Sequence, residues 1–221
     1  LYESPLESSR WRVLARGLRN SMVIISDALG RLVQIENSRD HISRADPKLD
    51  HDTLPHEELN IIVPGGHYGW PYCYDAQVPS PEFPAYDCKK TIAPALMLPA
   101  HAAPLGAMVY TGGMLPSWYE GKLLVTYHGY HANGHRLVVI PTDATGVYQT
   151  PQDVVWGWGK TKTNPRGAPV GMATHTDGSI FIADDKNRAI LRLFYDPAKG
   201  DGLPEAVAPA LEALPPVGPP D

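Results

Sequence analysis

The feature that most limits what this chain can become is a repeat. Residues 17–42, GLRNSMVIISDALGRLVQIENSRDHI, return in altered form as residues 167–190, GAPVGMATHTDGSIFIADDKNRAI. Gly17, Met22, Asp27, Gly30 and Leu32 align with Gly167, Met172, Asp177, Gly178 and Ile180 when two residues are inserted after Asp27. In both copies a β-prone run meets an Asp/Gly turn. A second run with alternating apolar residues follows (Leu32, Ile35; Ile180, Ile182), then a polar cluster (Glu36-Asn37; Asp184-Asp185). That order predicts strand, hairpin, strand and polar loop. A looser third copy starts at Pro104-Leu105-Gly106 and runs through the strand-like Lys122–Val125 to Leu137–Ile140.

Three units of about 50 residues, each a few antiparallel strands, predict an all-β chain built as blades of a β-propeller. An all-β sandwich is the alternative, and the recurrent Asp-Gly turns at blade-like spacing favour the propeller. The 23 Pro and 20 Gly in 221 residues suit many short elements. The expected division is a propeller segment over 1–199, with blades at roughly 10–60, 61–140 and 141–199. A Pro-rich tail or linker follows at 200–221, where six prolines interrupt any helix. Propellers close with about four to eight blades, so three blades leave open edges. The chain is then expected either to be part of a longer protein or to close by pairing, with the missing half or with a second copy.

The balance of charge narrows the partners. A net charge of −5 with no Lys/Arg run argues against nucleic acid. No apolar stretch approaches the roughly 20 residues of a membrane span. Cys73 and Cys88, the only cysteines, bracket the Pro-rich loop DAQVPSPEFPAYD. An even count around one loop favours a disulfide over two unrelated thiols, and with it a periplasmic or secreted setting.

In a propeller the loops at one end of the central channel collect polar groups from successive blades. The candidates are Arg19-Asn20, Glu36–Arg39, His101, His128 and Arg166. Arginine can pair bidentately with a carboxylate. With Arg166 at the place matching Arg19, two arginines aimed at one channel suit a polyanionic ligand. His128, His131 and His135 have metal-like spacing, but their glycine-rich surroundings read as a hairpin loop with one histidine facing the channel. Glu57-Glu58 reads as a solvated strand start. The over-furnished corner Gly65–Pro71 reads as a strand exit where Tyr68 and Trp70 wedge between blades.

These residues together resemble the soluble PQQ-dependent glucose/sorbosone dehydrogenases, which are six-bladed propellers with four-stranded blades. The matching runs are GLRNS (17–21), ENSRD (36–40), EELNIIVPGGHYGWPYC (57–73), PAHAAPLGAMVYTG (99–112) and GAPVGMATHTDGSIFIADD (167–185), corresponding to the C-terminal half of the family. The resemblance implies a PQQ- and calcium-dependent enzyme that oxidises a sugar hydroxyl or aldehyde by hydride transfer to PQQ, with the electron acceptor unspecified. Carried over by position, Arg19, Asn20, Asn37, His101, His128 and Arg166 contact the cofactor, and Tyr68 reaches toward it. The carbonyls of Ser38 and Arg39 face the calcium. Two family positions differ: Ala168 stands where glucose-oxidising members carry a second arginine, and no lysine occurs within 127–136. The family's general-base histidine belongs to the preceding half, so this chain alone is expected to lack it. The competing expectations are a non-catalytic propeller binding module and a calcium-dependent propeller lactonase using Glu36 and Asp184.

Overall fold

The structure is a computed structural model and describes residues 1–6, 9–129, 131–158 and 166–199. The tail predicted at 200–221 lies outside the described residues. Within them the chain is all-β, and its helical content is four single 3₁₀ turns.

Three antiparallel sheets follow one another along the chain. The first contains Asn20–Ser26, Leu32–Asn37, Glu57–Ile61 and Leu96–Leu98, paired in that order. The second contains Pro104–Val109, Leu123–Tyr127, Arg136–Ile140 and Gln152–Val155. The third has three strands, Pro169–Thr174, Ile180–Asp184 and Ala189–Leu193. These bounds differ from the division at 60 and 140. The first sheet takes its fourth strand from residues 96–98, because the Cys73–Cys88 loop is an excursion between its third and fourth strands. The run Arg136–Ile140 is interior to the second sheet rather than its end.

The repeat is tighter in space than in sequence. In both aligned copies a five-residue hairpin closes the first two strands. The Asp27 N–H donates to the Arg31 carbonyl at 3.0 Å and the His175 N–H to the Ser179 carbonyl at 2.8 Å. The fourth position is Gly30 or Gly178, at φ +75° and +86°, where a side chain would be strained. Asp27 therefore corresponds to His175, not Asp177, and no insertion sits in the turn. The irregularity lies in the strands: the first strand of every sheet carries a one-residue bulge, between Ser21 and Val23, Pro104 and Gly106, and Pro169 and Met172. Bulges of this kind re-aim side chains at strand ends.

Those three first strands lie side by side, with Pro104–Val109 between the other two. The approach is close: a Cβ on Gly106 would collide with the Val170 carbonyl, and the Thr126 hydroxyl donates to that same oxygen at 2.5 Å. Two apolar layers fill the gaps between sheets. Val33, Ile35, Leu59 and Leu98 meet Val125, Val138 and Ile140 between the first and second. Tyr110, Leu124, Leu137 and Val139 meet Ile180 and Ile182 between the second and third. A fully buried side chain of this size contributes roughly 1.5–3 kcal/mol. The array does not close on itself, and its two ends leave Met22 and Ile24, and Ile190 and Phe194, exposed.

Cys73 and Cys88 form the expected disulfide, with Cα atoms 6.0 Å apart. No helix among the described residues is long and apolar enough to cross a membrane.

Candidate functional site

The pairings Asn20 with Asn37, Glu57 with Leu98, Pro104 with Tyr127, Tyr127 with Arg136, and Pro169 with Asp184 all mark the same end of the sheets. Arg19, Asn20, the 37–40 turn, His101, His128 and Arg166 leave the strands at that end. The bulges of the first strands sit there too.

Arg19 is the best-held of these groups. Its Nη1 donates to the carbonyls of Asn37 at 2.9 Å and Ser38 at 2.5 Å. Its backbone N–H donates to Glu36 Oε2 at 2.9 Å, and its guanidinium lies 5.5 Å from the Trp70 ring centre. Asn20 is exposed beside it. Asn37 Oδ1 is buried without a hydrogen-bond partner. The Ser38 N–H donates to Glu57 Oε2, and Glu57 Oε1 accepts the Ala103 N–H at 3.1 Å. Arg39 makes a two-point ion pair with Glu82, at 2.9 and 2.8 Å.

Glu57 and Glu58 are not a solvated strand start. They are 4% and 6% exposed, and Glu36 is 4% exposed. Period-two alternation puts Glu36 and Glu58 directly opposite each other, on the face that also carries Gln34 and Asn60. Burial pushes Glu58 up to about 8, with the Glu36 carboxylate adding to the rise. Burial likewise raises Glu36 to about 7, against the lowering effect of the Arg19 and Gln34 N–H groups. Burial raises Glu57 as well, opposed by the Ser38 and Ala103 N–H groups. Polar residues alternating with Leu59, Ile35 and Val33 were the sequence signal for a buried polar row.

The other candidates are placed as follows. His101 is buried, its Nε2 is 2.6 Å from the His51 carbonyl, and its ring stacks on His131 at 4.4 Å. His51 packs edge-on against both, and His41 packs on His51 at 4.7 Å. His128 faces Asp185 at 3.1 Å and His135 Nδ1 meets the Gly167 carbonyl at 2.7 Å. The histidines at 128, 131 and 135 thus go to three different partners. Among the described residues no group of three His, Cys, Asp or Glu side chains could hold a metal ion.

Arg166 is exposed, and its carbonyl accepts from Asn187 at 2.5 Å. Asp184 receives the Ala168 N–H as Glu36 receives that of Arg19. By strand register, with Ser21 opposite Glu36 and Pro169 opposite Asp184, the position equivalent to Arg19 is Gly167, and Arg166 stands one place earlier. Tyr68 is buried, with its hydroxyl donating to the Ile61 carbonyl at 2.7 Å and accepting from the Val63 N–H at 2.8 Å. It locks the strand exit. Trp70, read as a wedge, instead walls a cleft of ≈ 380 Å³ with Arg19, Arg39, Asp40, Pro71, Glu82 and Phe83.

The end of the side-by-side sheets thus gathers an arginine, a buried amide oxygen without a partner and a turn whose carbonyls the arginine engages. The fold of the chain is similar to that of the PQQ domain of pyranose dehydrogenase from Coprinopsis cinerea, with TM-score 0.64 and 23% identity over 85% of this chain and 56% of that one. The PQQ-dependent pyranose dehydrogenase of the same organism is 26% identical over 230 residues, covering 82% of this chain and 31% of that protein. An uncharacterized protein of Borreliella burgdorferi is 28% identical over 200 residues, covering 86% of this chain and 51% of that protein. The chain thus spans about half or less of the length of these curated relatives. The family model for glucose/sorbosone dehydrogenase matches residues 7–192. The chain belongs to the glucose/sorbosone dehydrogenase family.

Proposed function

We propose that this chain is the C-terminal part of a PQQ- and Ca²⁺-dependent sugar dehydrogenase, oxidising a sugar hydroxyl or aldehyde within a six-bladed ring. The observation that carries the reading is Arg19, fastened through Nη1 and its own N–H beside an oxygen-rich turn and an aromatic wall. Its remaining N–H groups suit a carboxylate. Asn20 and Asn37 would hydrogen-bond beside it, and the loops bearing His101, His128 and Arg166 would complete the wall over the scaffold that Tyr68 secures. The unpartnered Asn37 Oδ1 fits a hard cation, and would join the carbonyls of Ser38 and Arg39 as a Ca²⁺ ligand. PQQ, when bound, accepts the two electrons removed from the sugar, and Ca²⁺ assists as a Lewis acid.

The chain's own residues do the holding. Glu36 fixes the backbone of Arg19. Glu57 ties the Ser38 turn to the loop that carries His101. The base that takes the sugar proton is a histidine outside these 221 residues, in the part of the protein whose blades would cover the exposed ends of the array. The Cys73–Cys88 disulfide supports a periplasmic or secreted location. The lactonase reading loses support because Glu36 and Asp184 lie on different sheets and receive backbone N–H groups.

The test is reconstitution of the full-length protein with PQQ and Ca²⁺, followed by dye reduction over a panel of aldoses. A cofactor-dependent absorption change with turnover is expected. Absence of both overturns the dehydrogenase and leaves the binding-module reading.

A further inference from the structure

Four histidines from three loops meet at the site end of the sheets, and none of them lines the cleft beside Arg19. His41 and His51 belong to the long loop between Leu32–Asn37 and Glu57–Ile61. His101 lies between Leu96–Leu98 and Pro104–Val109, and His131 between Leu123–Tyr127 and Arg136–Ile140. Their ring centres follow one another at 4.7 Å (His41 to His51), 4.6 Å (His51 to His101) and 4.4 Å (His101 to His131). His51 is also 5.8 Å from His131. The cluster therefore ties the first sheet to the second through side chains that can each take a charge.

Hydrogen bonds fix where the protons sit. The His41 N–H donates to His51 Nδ1 at 3.1 Å, so His51 is neutral with its proton on Nε2. A charged His51 would set N–H against N–H. His101 Nε2 stands 2.6 Å from the His51 carbonyl and donates to it. Its Nδ1 is 3.6 Å from Asp40 Oδ1, and His131 Nδ1 is 3.7 Å from Asp52 Oδ1, so a charge on either ring has a carboxylate beside it. Burial lowers the pKa of His51, and the His101 and His41 rings lower it further, against the opposite effect of Asp52 and Asp40. The other charged groups nearby are engaged: Glu57 with the Ser38 and Ala103 N–H groups, Arg136 with Asp153, and His128 with Asp185.

We propose that His51, His101 and His131 form a clasp that acid opens. While neutral, the rings hold the 40–56 loop against the loop that carries His131; a charge on His51 beside His101 releases it. The closed loop favours neutral His51. Closure is therefore complete above the ordinary histidine value of 6.5 and weakens as pH falls below it. The loop runs on from the 37–39 turn, so its release would loosen the turn proposed to bind Ca²⁺. That consequence rests on the dehydrogenase reading, and the clasp itself does not.

Hydrogen-exchange mass spectrometry of the full-length protein, without PQQ or added Ca²⁺, tests the clasp. With rates corrected for intrinsic exchange, protection over residues 40–56 is expected to fall about tenfold from about pH 7 to about pH 5.5, within the roughly tenfold per pH unit that uptake of one proton allows. The strand Leu123–Tyr127 should keep its protection. His51→Asn retains an acceptor near the Nδ1 position and carries no charge, so the loop is expected to stay protected across the range. Histidine C–H NMR on the wild type follows the ring without any variant, and His51 is expected to gain its proton over the range in which the loop opens. Flat wild-type protection, an unchanged pH response in His51→Asn, or a charged His51 with the loop still closed overturns the clasp. Failure to bind PQQ with the pH response intact counts against the dehydrogenase alone.

Discussion

The Ser38 backbone N–H donates to the carboxylate of Glu57, whose other oxygen accepts the N–H of Ala103. One buried side chain therefore joins the turn proposed to bind Ca²⁺, 19 residues before it, to the loop that carries His101, whose Ala103 lies 46 residues after it. Glu57→Ala strands two N–H groups in the interior, each worth about 1–3 kcal/mol when unpaired. The expected loss is about 2–4 kcal/mol of stability in urea unfolding, with weaker Ca²⁺ binding in the folded protein. Unchanged stability would show that solvent replaces the carboxylate.

Arg19→Ala removes the cation proposed to meet the cofactor carboxylate. A charge-assisted bond of this kind is worth about 1.5–3 kcal/mol, so PQQ affinity is expected to fall about tenfold to a hundredfold. Arg19→Lys is expected to recover little, because a point charge cannot serve two carbonyls and a carboxylate in one plane. Fluorescence titration of the cofactor reads both, and equal affinity in all three proteins counts against the role.

Stability is expected to decline on the alkaline side. Glu58 is raised in the folded protein to about 8 from an ordinary value of 4.5. The folded state therefore binds the proton more tightly, and its stabilisation is complete below about pH 4.5 and lost as pH rises through about 8. Glu58→Gln stays neutral throughout and should flatten the fall in melting temperature between pH 5 and about 8.5. A wild-type melting temperature that rises over that window would contradict the argument.

Replacing both cysteines by serine opens a loop of sequence separation 15. The chain-entropy model assigns about 3 kcal/mol to its closure. Chemical unfolding of the double variant, or of the wild type in reductant, is expected to show a loss of that order.

How much of this was readable beforehand divides by distance along the chain. The Asp/Gly hairpins, the alternating strands and the Cys73–Cys88 closure depend on neighbours within some 15 residues, and backbone sterics and loop entropy act at that range. The grouping of Arg19 with the 36–39 turn was legible too, because two strands joined by a hairpin must bring their far ends together.

The sequence by itself determined the all-β character, the hairpin-built repeat and the loop end where the candidate residues gather. Only the tertiary structure decided which of them meet. Glu57 is buried although it opens a strand, because the Ser38 and Ala103 N–H groups close on its carboxylate from segments 19 and 46 residues away. His131 leaves its neighbours His128 and His135 for His101 because the loops of two different sheets converge there. Trp70 becomes a cleft wall rather than a wedge because Arg19 and Phe83 arrive from either side. Burial and proximity are properties of what packs from afar, and local pattern carries no record of that.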